Sequence, residues 1–181
     1  ALPGKEDIRS FLAIARHLRS LGYSSPEIFA EAAQNGFVLL EDFGDTTFTH
    51  RLQSGMDERP MYEGAVDLLV DLHGRTPKTT VPAGLPMYDT DRYLDEVFLL
   101  TDWYMPLVSE GSNAARRDYE KLWREILPGT SAIRETLVLR DFHADNLMWL
   151  PERDGVAACG LLDFQDAVVG PPAYDLMSLL E

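Results

Sequence analysis

The sequence is short of cysteine, of basic residues and of long apolar runs, and each shortage removes a class of function. Cys159 stands alone, which excludes an internal disulfide framework and a cysteine-based zinc site, and fits a reducing, cytoplasmic setting. Sixteen Lys and Arg face thirty Asp and Glu, for a net charge of −14. Such a surface repels nucleic acid and anionic membrane, so neither is an expected partner. It accepts a neutral or cationic small molecule, or an anion that arrives with a metal ion. No apolar run reaches the ~18 residues of a membrane-spanning helix. The chain does not start at Met, shows no signal peptide, and ends in a helical pattern, PPAYDLMSLLE, that has no capping Gly, Asn or Pro. It reads as a fragment of a longer protein.

What is present is enough for a real core: 181 residues, 45% of them apolar. Apolar spacing predicts helices over 5–21, 60–73, from about Thr90, and over 113–127. Gly22 reads as a helix stop. GFVLLEDFGD (36–45) is a short strand entering an acidic turn. The three prolines of 75–86 mark a loop. After Pro128 the pattern changes. ETLVLR reads as a strand, and LMWL and VAACGLLDF as two more, joined at PERDG by a hairpin turn. Helices followed by a small hairpin and a helix make the fold class α+β.

The stretch LVLRDFHADNLMWL (137–150) interrupts a strand-like run with Arg140, Asp141, His143, Asp145 and Asn146. Read alone it is a metal cluster, a surface turn or a catalytic loop. The hairpin discriminates. Asn146 precedes its first strand and Asp163 follows its second, so antiparallel pairing makes them neighbours although they lie 17 positions apart. Asp141 stands in the loop that feeds the hairpin. Carboxylate and amide oxygens are hard ligands suited to Mg²⁺. A further carboxylate off the metal can orient or deprotonate a hydroxyl. Phosphoryl transfer needs that pairing. LRDFHADN followed by LDFQD keeps the Asp-to-Asn spacing of the kinase signature. A zinc or di-iron reading has little support, because His17, His50 and His73 have no ligand spacing with His143.

These motifs resemble the aminoglycoside phosphotransferase family, the choline/aminoglycoside kinase-like relatives of protein kinases. LLEDFGD, LRDFHADNLMW and LLDFQDAVVGPPAYDLMSLL are most similar to its bacterial N-acetylmuramate and N-acetylglucosamine kinases. The resemblance implies a protein-kinase-like fold: residues 1–40 a remnant of the N-terminal lobe, 41–48 the hinge, and 49–181 a mostly helical C-terminal lobe with a small catalytic hairpin. It implies ATP and Mg²⁺ as cofactors and a sugar or aminosugar hydroxyl as acceptor. Asp141 matches the catalytic base, Asn146 and Asp163 the Mg²⁺ ligands, and Asp175 an acidic residue that supports the catalytic loop. Backbone groups of Glu41, Asp42 and Phe43 match the adenine-binding hinge. His143 stands where relatives contact substrate or the γ-phosphate, with loop stabilisation as the alternative. Asp145 is either a turn residue or a direct participant, and Asp166 either supports the metal group or caps a helix. Glu96, Asp102 and Trp103, with Tyr104, are candidates for gripping a sugar ring, against plain aromatic packing.

The chain departs from the family twice. Leu139 stands where relatives keep a His, and no glycine-rich phosphate loop or strand Lys precedes the first helix. The isolated fragment is expected to be inactive. A drug-modifying kinase and a catalytically silent nucleotide-binding module are the rival readings.

Overall fold

The computed structural model describes residues 8–108, 113–127 and 135–181. They fall into two units, 1–85 with 135–181, and 86–134.

The first unit opens with α1 (Ile8–Ser20), whose Leu12, Ile14, Ala15 and Leu18 are buried. The helix ends where the sequence predicts. The Gly22 N–H donates to Arg19 O at 3.0 Å and the Tyr23 N–H to Leu18 O at 3.1 Å, with Gly22 at φ 95°. This is the paired closure that a left-handed glycine permits. A ribbon of β1 (Ile28–Ala32) and β2 (Phe37–Leu40) follows, antiparallel and irregular near Ile28. The one-and-a-half turns of α2 (Phe48–Gln53) are capped by Thr47, whose side chain accepts from the His50 N–H. Asp57 caps α3 (Glu58–Gly74) in the same way through Arg59. Met61, Ala65, Leu68, Leu69 and Leu72 form its buried stripe. The proline-rich stretch expected to be loop contains a short helix, α4 (Pro77–Thr80), because Pro77 occupies its first turn, where no N–H is needed.

Two short antiparallel pairings organise the C-terminal part of this unit. β3 (Thr136–Val138) pairs with β6 (Val168–Gly170), and β4 (Leu147–Trp149) with β5 (Cys159–Leu161). The expected strand VAACGLLDF is shorter than its apolar run: Gly155–Ala158 form a 3₁₀ turn, and pairing starts at Cys159. Helix α8 (Ala173–Leu180) closes the chain. The core gathers Ile14, Leu18, Phe48, Leu68, Leu72, Leu137, Leu147, Leu161 and Phe164. Each fully buried Leu or Ile contributes about 2 kcal/mol by transfer alone. Cys159 is buried as a free thiol, and burial raises it to about 12, so it is inert.

The second unit holds α5 (Thr90–Leu99), a π-helical turn (Leu100–Tyr104), α6 (Met105–Val108) and α7 (Asn113–Ile126). Asp89 caps α5 by accepting from the Arg92 N–H. Leu94 is buried, whereas Leu122 and Ile126, which helical spacing puts on one side of α7, are exposed. No described helix is long and apolar enough to cross a membrane.

Candidate active site

The polar loop begins where β3 ends. Asp175, in the first turn of α8, is fully buried and accepts from the N–H groups of Leu139 (2.9 Å) and Arg140 (2.9 Å). Burial pushes its carboxyl up to about 7, and the two backbone donors oppose that rise. His73, at the end of α3, has Nε2 3.8 Å from the same carboxylate. Arg140 is held at φ 72°, in the left-handed region that a side chain ordinarily avoids. The Asp141 N–H then donates to Leu139 O at 3.0 Å, closing a tight turn that presents Asp141.

Asn146 ties the other end of the loop. Its N–H donates to His143 O at 2.9 Å, and its Nδ2 donates to Asp141 O at 3.1 Å. Nδ2 also lies 3.2 Å from His143 Nε2. With the amide nitrogen so engaged, Oδ1 is the Asn146 atom available to a cation. Leu147 pairs with Leu161, and the Leu162 N–H donates to Asn146 O at 3.0 Å, one residue before Asp163. Asp163 is the second non-glycine residue at positive φ, 56°. Gln165, which spacing alone did not single out, donates from Nε2 to Asp163 Oδ1 at 2.5 Å. Phe164 stacks on Phe11 of α1, with centroids 5.1 Å apart and planes 11° from parallel.

Burial is the main reason that the Asp141 carboxyl lies above the usual carboxylate range. Arg140 and His143 pull it down, while the negative charges of Asp163 and Asp166 push it up. Asp141, Asn146 and Asp163 are thus brought together, and their carboxylates feel one another. One carboxylate and one amide oxygen are hard donors of the kind that suits a divalent cation. Among the described residues no cluster of three His, Cys, Asp or Glu side chains has metal-holding geometry, which separates this arrangement from an all-protein metal cage. Asp145 is exposed on the turn. Asp166 caps no helix; it sits in the turn leading to β6.

Glu41, Asp42 and Phe43, expected from the resemblance to form the hinge, follow β2. The Glu41 N–H donates to Glu27 O at 2.8 Å, continuing the ribbon, and the Asp42 carboxylate accepts from the Gly44 N–H at 2.7 Å. Phe43 packs over Gly160 of β5, where a Cβ would come within 3.2 Å of the ring and 2.9 Å of Met148 Cβ and Leu150 Cδ1. In the second unit, Glu96 accepts from the Tyr88 hydroxyl. Asp102 is held in two hydrogen bonds by Arg116 (2.7 and 3.0 Å), which keeps its carboxyl below the ordinary range. Trp103, on the π-helical turn, is 73% exposed.

The sequence profile of the phosphotransferase enzyme family (APH) matches residues 1–181. The N-acetylmuramate/N-acetylglucosamine kinase of Caulobacter vibrioides is 37% identical over 180 residues, 96% of this chain and 49% of that protein. The enzyme of the same name from Pseudomonas aeruginosa is 35% identical over 187 residues, 99% of this chain and 51% of its own length. The chain therefore spans about half the length of these curated relatives. The GDP complex of wild-type aminoglycoside 2'-phosphotransferase-IIIa superposes with a TM-score of 0.62 at 19% identity, covering 98% of this chain and 63% of that one. A choline/ethanolamine kinase family protein from Mesorhizobium loti gives 0.60 at 14% identity, over 96% and 55% of the two chains. At those identities the two structures speak for the fold, which is protein-kinase-like. With the profile spanning every residue, the chain belongs to the phosphotransferase enzyme family.

Proposed function

We propose that this chain is the hinge and C-terminal lobe of an ATP-dependent kinase that phosphorylates a hydroxyl of a sugar or aminosugar, with residues 1–40 belonging to the N-terminal lobe, 41–48 to the hinge and 49–181 to the C-terminal lobe. The observation that carries this reading is the convergence of Asp141, Asn146 and Asp163 at one end of a hairpin. The sugar-kinase names of relatives at 37% and 35% identity support the acceptor class.

In this mechanism Asp141 accepts a hydrogen bond from the acceptor hydroxyl and takes its proton as the oxygen attacks the γ-phosphorus and the bond to the β,γ-bridging oxygen breaks, releasing ADP. Its raised affinity for a proton suits a base. Asn146 through Oδ1 and Asp163 through its carboxylate would hold Mg²⁺. When bound, that ion neutralises charge on the phosphate oxygens. Gln165 fixes the Asp163 carboxylate, and Asp175 fixes the backbone just ahead of Asp141. Backbone groups of Glu41, Asp42 and Phe43 hold the adenine. His143, through its contact with Asn146, sets the loop on the acceptor side. In the second unit Trp103 is exposed, whereas Glu96 and Asp102 already have protein partners. The site of action is the cytoplasm, where ATP is supplied.

The test is ADP release by the full-length protein with Mg-ATP and, separately, N-acetylmuramate, N-acetylglucosamine and an aminoglycoside panel. Turnover with the amino sugars is expected. Turnover confined to the aminoglycosides would replace the acceptor class, and nucleotide binding without transfer to any acceptor would make the chain a silent binding module.

A further inference from the structure

We infer that Arg153 is a positioning residue that sets the hinge, and with it the nucleotide base, in register with the hairpin carrying Asn146 and Asp163; this rests on the nucleotide reading above. Arg153 lies in the turn between β4 and β5, where the sequence alone suggests a solvated charge. Its guanidinium has Nε 4.0 Å from Oε1 of the adjacent Glu152 and makes three contacts with residues distant in sequence. Nη2 donates to Glu41 Oε1 at 2.5 Å, and Nη1 donates to Ser24 Oγ at 2.9 Å. Its central carbon lies 5.0 Å from the centroid of the Phe43 ring. The Arg153 and Glu41 side chains are only 26% and 24% exposed, so the pair is partly shielded from water.

Two of the three proposed hinge residues are therefore held by one side chain of the hairpin that carries Asn146 and Asp163. The second oxygen of Glu41 is also occupied, accepting from the Glu27 N–H at 3.1 Å and lying 3.4 Å from Arg19 Nη1. Ser24 closes the circuit. Its hydroxyl donates to Ala157 O at 2.6 Å and its carbonyl accepts from the Leu161 N–H at 2.7 Å, two residues before Asp163. A planar fork reaches Glu41, Ser24 and the Phe43 ring together; an ammonium makes one point contact. The hairpin thus fixes the distance between the base pocket and the phosphate-binding oxygens.

The experiment uses the full-length protein and its R153A, R153K, E41Q and R153A/E41Q variants. It reads ATP affinity by displacement of a fluorescent ATP analogue, the two KM values, and thermal unfolding. R153A is expected to raise the Kd and KM for ATP by about tenfold. The acceptor KM should change by less than about twofold. R153K restores part of the ATP affinity at most, and the double variant binds ATP no worse than R153A. Should R153A fail to fold, R153K reads the same shift in ATP affinity. Unchanged ATP affinity in folded R153A or R153K overturns the inference while leaving the proposed function standing. Parallel rises in both KM values also overturn it. A wild-type protein that binds no nucleotide overturns the site reading and this inference together.

Discussion

The peptide N–H of Leu162 donates to the carbonyl oxygen of Asn146 at 3.0 Å, so the hairpin's last hydrogen bond joins one proposed metal ligand to the residue just before the other. Asn146 and Asp163 cannot separate without breaking the ladder that begins at Leu147 and Leu161. Replacing Asp163 with Asn keeps the shape and tolerates φ 56° but removes the charge. Turnover of Mg-ATP by the full-length protein should fall by at least about a hundredfold. The thermal midpoint should hold or rise, because one of the negative charges facing Asp141 is gone. Near-normal turnover sinks the metal-ligand role.

In the proposed mechanism Asp141 carries the pH dependence of activity, since a carboxyl acts as base only when ionised. Its carboxyl lies above the ordinary range, chiefly through burial. The kcat/KM of the full-length enzyme should therefore fall on acidification through a limb displaced upward from that of an ordinary carboxylate. Adding positive charge through D145K, on the exposed turn beside Asn146, should move that limb down. A limb at the ordinary carboxylate position would remove the shift from the mechanism.

Asp175 gives a different pH signature, in stability. Its folded-state value of about 7 lies above the ordinary 3.8. Between those values the folded protein keeps a proton that the unfolded chain has released. Stability is therefore greatest below about pH 4 as far as this group is concerned, and is lost as pH rises toward 7. Urea unfolding of D175N across this range should show a flatter profile than wild type. D175A leaves the Leu139 and Arg140 N–H groups without their acceptor and should cost about 2–5 kcal/mol. Equal slopes for wild type and D175N would contradict the assignment.

Gly160 sets a packing limit. A Cβ there meets Met148 Cβ and Leu150 Cδ1 at 2.9 Å and the Phe43 ring at 3.2 Å, and the first of these cannot swing away. G160A should destabilise the fold by about 1–3 kcal/mol in denaturant titrations. A neutral G160A would show that the hinge is not seated on β5 as described.

The loop and hairpin were legible because their signals are local: fixed spacing from Asp141 to Asn146, and a turn with Pro, Asp and Gly between two apolar runs. The strand β6 was not, since Val168–Gly170 has three residues, too few for alternation, and each pairs with a residue of Thr136–Val138 at least 30 positions away. Strand β1 escaped for another reason: Ile-Phe-Ala-Glu-Ala has helix formers at three of its five places and its far end is exposed. Leu122 and Ile126 show the converse, a helical face read correctly from spacing that packing leaves open to solvent. Arg153 and Gln165 carry no sequence signal, because a charged turn residue and a lone amide become informative only once folding brings Glu41 and Asp163 to them.

The Phe11–Phe164 stack has a mechanical meaning. Phe164 is covalently next to Asp163, and its ring lies nearly flat on that of a helix residue more than 150 positions earlier. Phe164 is also buried in the close-packed core, so the ring has no free direction in which to move. The stack therefore clamps the backbone beside Asp163 to α1, and a change that loosens α1 is felt one peptide unit from that carboxylate.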